Sequence, residues 1–347
     1  MPLANSWKGI AARIVYILAV TSFFTGLVLT HKQHFMIAQP FVTFGNWVLA
    51  AMLYLFIIYI VIDFARIINS FTFKAEWLTF KYIAEDNKAY FFSLISGIVC
   101  CLILIIGYFN AQYPIRKEIT LKTEKSISRG FKFILVSDIH MGMMNKDKYL
   151  NTLVNRINNE NADFVIIAGD FFDGDPTPVL QTNADKILQT IKTNFGVYAV
   201  TGNHDYMGNV NLACKFLNEN GVTVLQDSVL TLPLGVSLIG RQDGHFRKNL
   251  KDLMQNINNQ LFLINIIHQP YHLEESEQNN IDLQLSGHTH HGQLWPINFL
   301  TKKIYENSFG LIKKSSTYIY VSSGYGTWGP PIRTTCHPEM VVFNIEN

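Results

Sequence analysis

The sequence predicts a layered α/β domain preceded by an all-α transmembrane unit of three helices, and three observations carry that reading. Charge is unevenly spread: residues 1–113 hold seven Lys/Arg and four Asp/Glu, whereas the rest of the chain holds 21 and 22. Three long uncharged runs fall in the first part. In the second part short apolar runs alternate with helical stretches, the pattern of a sheet covered by helices.

The chain has 347 residues, of which 48% are hydrophobic and 16% charged. A soluble domain averages roughly 25% charged residues. Length and apolar content suit two folding units and exclude a disordered chain. The second part is nearly neutral (21 basic against 22 acidic residues) and has no basic run with interleaved aromatics, so nucleic acid is not an expected partner. Cys100 and Cys101 sit in an apolar run, and Cys214 and Cys336 are isolated. With no CxxC spacing they read as small apolar residues, not as a thiolate metal site.

Residues 14–30, 41–62 and 89–113 run 17, 22 and 25 positions without a charge. A helix needs roughly 20 apolar residues to cross the hydrocarbon core. Only a helix satisfies the backbone of such isolated runs there. Trp7, Trp47, Tyr108 and Tyr113 fall near the ends, as interfacial aromatics do. The expectation is a multi-pass cell-membrane anchor over 1–113, with helices at about 10–30, 41–64 and 89–112. Lys8 and Arg13 before the first run suggest a signal peptide. His31-Lys32-Gln33-His34 follows it, however, and not a small-residue cleavage site, so the helix is read as retained. Lys8, Arg13 and Arg66 favour an inside N-terminus; Arg116, Lys117, Lys122 and Lys125 after the third run favour the opposite, which leaves the side of the catalytic domain open. Apart from Arg13 and Asp63 at helix ends the runs hold no ionisable group, which fits an anchor and not a transport path.

Residues 114–130 read as a linker that becomes the first strand of the second domain, and 131–347 as that domain. Strands are expected at 131–137, 164–168, 197–201, 222–225, 236–239, 261–267, 281–285, 318–321 and 341–345. Helices are expected at 148–158, where Leu150, Leu153, Val154 and Ile157 share a face, and at 184–192 and 212–218.

Polar clusters follow the strand ends directly: Asp138-Ile139-His140, Gly169-Asp170-Phe171-Phe172-Asp173, Gly202-Asn203-His204-Asp205, His268 and Gly287-His288-Thr289-His290. Ligands of open α/β sheets bind outside the carboxyl ends of strands. Carboxylate and imidazole without thiolate suit divalent first-row ions. One residue between two such groups lets both leave a strand end on the same side. A single such pair is weak evidence; five clusters in order are strong evidence.

This order of motifs resembles the calcineurin-like metallophosphoesterase family over about residues 131–347. The closing segment Ser322-Ser323-Gly324-Tyr325-Gly326-Thr327-Trp328-Gly329-Pro330-Pro331-Ile332-Arg333 resembles the family's membrane-associated bacterial branch, which includes UDP-2,3-diacylglucosamine hydrolase-like phosphodiesterases. So does His288-Thr289-His290-His291-Gly292-Gln293, although that branch more often has Gly where His291 stands. His291 either adds a polar group near the site or exchanges a turn glycine. The resemblance implies a layered sandwich and two divalent cations, most often Mn2+, with iron, zinc or magnesium as alternatives. Carried over residue by residue, it implies Asp138, His140, Asp170 and His290 on the first cation. Asp170, Asn203, His268 and His288 would hold the second, with Asp170 bridging. Asn203, a neutral ligand, would also face the substrate. His204 would act on the leaving oxygen, with Asp205 either orienting it or standing as a solvated turn residue. Asp173 reads as a supporting or turn residue and not a ligand. Arg333 is either a substrate-binding phosphate fork or one half of a surface ion pair. His245, His272 and His337 match no motif and read as structural or exposed.

The implied activity is a metal-dependent hydrolase of phosphodiester or pyrophosphate bonds, acting by attack of a metal-bridging hydroxide. Residues 292–305 read either as a core hairpin or as an apolar lip of Trp295, Phe299 and Leu300 beside two lysines, able to receive an acyl chain. A membrane anchor raises the effective concentration of a bilayer-borne substrate. Hence the expected partners are the bilayer and a lipid-linked phosphate such as UDP-2,3-diacylglucosamine, with no obligate protein partner. The alternatives are a soluble or protein phosphoester as substrate, and a non-catalytic, metal-stabilised membrane binding module.

Overall fold

The computed structural model describes residues 7–73, 75, 86–244, 247–255 and 257–347; His245 lies outside them. The chain divides into two compact units, one of residues 1–109 with 329–332, the other of residues 110–328 with 333–347.

Among the described residues the first part of the chain forms three long helices, α1 (Trp7–His31), α2 (Phe35–Phe71) and α3 (Asp86–Gln112). Each is long and apolar enough to cross a membrane. Outward side chains such as Leu18, Phe56, Ile60 and Ile106 are exposed, which suits hydrocarbon and not water. Between α1 and α2 small residues allow close approach. A Cβ on Gly26 would lie 2.7 Å from the Val42 side chain, and one on Gly45 would lie 2.5 Å from the Phe23 backbone. α2 is longer than the sequence predicts, with 37 residues. At about 1.5 Å per residue it exceeds a hydrocarbon core of about 30 Å. Its charged end stays helical because Arg66 pairs with Asp63 one turn away at 2.6 Å.

The second unit is a layered α/β sandwich of two six-stranded sheets. The first runs β1 (Ile115–Lys122), β12 (Glu339–Glu346), β2 (Phe131–Val136), β3 (Phe164–Ala168), β4 (Val197–Val200), β5 (Val222–Val224). The second runs β10 (Gly310–Lys314), β11 (Thr317–Val321), β9 (Leu283–Ser286), β8 (Phe262–Ile266), β7 (Val236–Gly240), β6 (Ser228–Leu232). β2 to β5 are parallel, as are β7, β8, β9 and β11. Side chains alternate across each strand. Phe133, Leu135, Phe164, Ile166, Val341 and Phe343 face the second sheet and meet Leu238, Ile264 and Leu285 in the central core. Phe133 stacks on Phe164 and Phe343 at ring distances of 5.0 and 4.9 Å. The alternate residues Ile134, Val136, Val165 and Ile167 face outward onto α4 (Asp147–Asn159), whose Leu150, Leu153, Val154 and Ile157 form one buried stripe. Ile239, Leu263 and Ile281 are covered on the far side with Leu250.

The segment between the units does become a strand: it contains β1, paired in parallel with β12. It is an edge strand whose inward positions Ile119 and Leu121 reach the core; Arg116, Glu118 and Lys122 are exposed, while the Lys117 ammonium lies over the Phe309 and Tyr320 rings. Residues 292–305 form neither a hairpin nor a strand but a short 3-10 turn and helix α5 (Ile297–Ile304).

Replacing Phe133 with Ala removes the ring at the middle of this stack. We expect a loss of about 3–5 kcal/mol, read as a lower urea midpoint of intrinsic fluorescence in detergent; an unshifted midpoint would contradict the assignment of the central core.

Candidate metal centre

The candidate ligands come from both sheets. Asp138 and His140 follow β2, Asp170 follows β3, Asn203 follows β4, His268 follows β8, and His288 and His290 follow β9. The chain must turn sharply as it leaves each strand. Asp138, His140, Asp170, His288 and His290 all take left-handed backbone, with φ of 52°, 50°, 50°, 72° and 45°. Such conformations are uncommon for non-glycine residues and persist where the surroundings fix them. Here crossed backbone bonds do so: Asp138 N–H donates to Gly169 O at 3.0 Å and His140 N–H to Asp170 O at 3.1 Å. Two glycines make room for the carboxylates. A Cβ on Gly202 would collide with the Asp170 carboxylate, and one on Gly287 with that of Asp138.

The side chains converge in two groups that share Asp170. In the first, His290 Nε2 lies 3.0 Å from His140 Nε2 and 3.3 Å from Asp138 Oδ1, with Asp170 Oδ2 at 3.9 Å from His140. In the second, His268 Nε2 lies 3.0 Å from Asp170 Oδ2 and 3.2 Å from Asn203 Oδ1, while His288 Nδ1 lies 2.7 Å from that same amide oxygen. Asp138, His140, Asp170, His268 and His290 are almost fully buried. So dense a set of carboxylate, amide and imidazole donors fits two divalent cations, and the rings are arranged to bind them. His268 Nδ1 is fixed on the Ala168 carbonyl at 2.8 Å, which aims Nε2 into the centre. Burial pulls the pKa of His290 down to about 3 and that of His288 to about 4, so both remain neutral donors at ordinary pH. Burial disfavours charge on His268 too, but Asp170 and Asp138 outweigh it and push that ring up to about 10.

The supporting residues differ from expectation. Asp205 does not orient His204: its two oxygens accept the backbone N–H groups of Phe172 and Gly202, at 3.1 and 2.8 Å. Buried there beside Asp170, its pKa is pushed up to about 7. The group that meets His204 is Asp173, whose Oδ1 lies 3.1 Å from His204 Nδ1 and 3.4 Å from His140 Nδ1. Asp173 thus links a candidate ligand to the ring that faces the site. The GDxxD spacing was the signal for it. His204 N–H also donates to Asp170 Oδ1 at 2.8 Å.

Arg333 is fully buried, so neither a substrate fork nor a surface ion pair describes it. Its Nη2 lies 2.9 Å from His290 Nδ1 and donates to the Gly326 carbonyl at 2.5 Å. The guanidinium therefore positions His290 and does not face the substrate. His291 is a left-handed turn residue with φ 47°, and its ring packs on Phe309 outside both groups. His272 and His337 are exposed.

The calcineurin-like phosphoesterase family profile matches residues 131–292. A metallophosphoesterase of Helicobacter pylori is 31% identical over 70% of this chain and 68% of its own. One of Bacillus subtilis is 29% identical over 70% and 90%. A zebrafish (Danio rerio) transmembrane protein with a metallophosphoesterase domain is 28% identical over 72% and 61%.

At pH 7 a cation must displace the proton that Asp170 and Asp138 hold on His268. Calorimetric titration of the chelator-stripped full chain with Mn2+, repeated in buffers of different ionisation enthalpy, should show net proton release and affinity that rises with pH. Asp170→Asn should weaken both binding events together. Binding that is indifferent to pH, or loss of one event alone, would contradict the shared carboxylate.

Proposed function

The chain belongs to the calcineurin-like metallophosphoesterase family, and we propose that it cleaves a phosphodiester or diphosphate bond in a lipid-linked substrate at a two-cation centre anchored to a membrane. The activity class, hydrolysis of phosphoric esters, follows from the family. The observation that carries the two-cation reading is the set of three overlapping donor clusters, Asp138–His140–His290, His140–Asp170–His204 and Asp170–His268–His288, in which Asp170 belongs to two.

When bound, two divalent cations neutralise phosphoryl oxygens and lower the pKa of water to the nucleophilic range. The remaining work falls to the chain. Asp170 spans both donor groups, and Asn203 adds an amide oxygen without charge to the second. His204 is 20% exposed at the side chain and is held through Nδ1 by Asp173, which leaves Nε2 to give a proton to the departing oxygen. Arg333 keeps His290 in place from behind. The crossed backbone bonds hold these groups in one geometry before substrate arrives, so little reorganisation accompanies the reaction.

The lipid part of the reading rests on two features. The first unit has three helices long and apolar enough to cross a membrane. In the second unit α5 exposes Phe299, Leu300 and Ile304, with Lys302 and Lys303 in its last turn. Tyr305 at the end of α5 meets the candidate ligand His288 at a ring distance of 5.9 Å. An acyl chain leaving the centre on that side would find an apolar face flanked by cations for an anionic headgroup. UDP-2,3-diacylglucosamine belongs to this substrate class.

The detergent-purified protein with Mn2+ should hydrolyse bis-p-nitrophenyl phosphate, and His204→Ala should lower kcat by roughly 10²–10⁴-fold. No turnover, with no effect of that change, would favour a binding module. A mass-spectrometric screen against lipid-linked phosphates tests the substrate class, and turnover confined to water-soluble esters would remove the lipid assignment.

A further inference from the structure

Beside the metal centre lies an open cavity of about 830 Å3, lined by Asn203, Tyr206, Gln242, Asp243, Arg247 and Tyr271 among others. Asn203 is the residue it shares with the second donor group, so whatever sits on the centre can extend into it. The acids around Arg247 are already engaged. Both oxygens of Asp243 accept from Gln269 Nε2 at 2.9 and 2.8 Å. Asp227 accepts the backbone N–H groups of Gln242 and Lys248, and Glu275 pairs with Arg241 at 2.5 Å. Among the described residues Arg247 makes no hydrogen bond or ion pair, although it is half-buried. Burial and the neighbouring Arg241 act against its charge and outweigh the pull of Glu275, Asp243 and Asp227.

A half-buried guanidinium without an acid partner is costly to hold unless a ligand completes it. Its planar fork matches phosphate in two-point contact. Tyr206 and Tyr271 offer aromatic walls alongside, and Tyr271 is braced by Tyr305 at a ring distance of 5.0 Å. The cavity therefore has the Arg247 guanidinium, aromatic sides, polar amides and one carboxylate, Asp243, which is turned onto the Gln269 amide, and it adjoins the candidate metal centre at Asn203. That is the chemistry of a subsite for an anionic group linked to the phosphorus under attack.

We propose that Arg247 binds a second phosphoryl group of the substrate, so that the preferred substrate is a diphosphate and not a simple phosphodiester. The assignment rests on the phosphoesterase reading and narrows it. Arg247 sits away from the strand-end motifs and acts as a specificity residue.

The test uses two phosphonates that resist hydrolysis and differ by one phosphoryl group, methylphosphonate and methylenediphosphonate. Each is titrated calorimetrically into the Mn2+-loaded full chain in detergent. The wild type should bind the diphosphonate about tenfold more tightly. Arg247→Gln should abolish that preference, and Arg247→Lys, which keeps the charge without the fork, should restore part of it. An equal preference in Arg247→Gln, or none in the wild type, overturns the subsite. Because binding needs no turnover, inactivity toward bis-p-nitrophenyl phosphate would sink the hydrolase reading while leaving this measurement decisive for Arg247.

Discussion

Five of the seven candidate ligands hold left-handed backbone, and no other constraint orders the site so strongly. A parallel strand that ends and must reverse toward its covering helix has few ways to turn. Glycine makes that turn without strain; an aspartate or histidine makes it only when neighbours impose it. Here the turn after β2 is bonded to the turn after β3, and Asp138 also accepts the His288 N–H from the opposite sheet at 3.0 Å. The two sheets of the sandwich are thus tied at their carboxyl ends by the residues that carry the chemistry. Strain at each turn is balanced by the central core below, where stacked phenylalanines keep the strand ends in register.

The same tie explains the division of labour among the buried charges. Asp170 can serve both donor groups because Gly202 leaves it space and His204 N–H fixes one of its oxygens. Arg333 and Asp173 then act on rings and not on substrate: Arg333 meets Nδ1 of His290, and Asp173 meets Nδ1 of His140 and of His204. In the proposed reading, substrate selection falls to the rim, where α5 exposes an apolar face and Arg247 offers a cation. The rigid strand ends would supply catalysis and the variable edges specificity, as loops on a rigid scaffold commonly do.

Much of this was legible in the sequence. Fully buried parallel strands read as continuous apolar runs, so 164–168 matched to the residue, and the stripe of α4 was visible in its spacing. The ligand clusters were legible because short motifs at strand ends are local. What sequence could not give were contacts between distant segments. Asp205 next to His204 suggested a pair, yet the helical turn beginning at Asn203 sends the carboxylate back to Gly202 and Phe172. Arg333 resembled a substrate fork because its burial depends on loops 43 residues apart in the chain, from His290 to the closing segment. The bounds of β1 were blurred because its outward face is charged like the segment around it. α5 was not read as a helix because eight residues are too few for the period to decide.

The chemistry of the site depends on Asp170 being shared by two cations. Anomalous scattering from crystals of the active protein grown with Mn2+ addresses that directly. Two peaks about 3.5–4 Å apart, one on each side of the Asp170 carboxylate, are the predicted result. A single peak, or density remote from Asp170, in crystals that still turn over a phosphoester would contradict it.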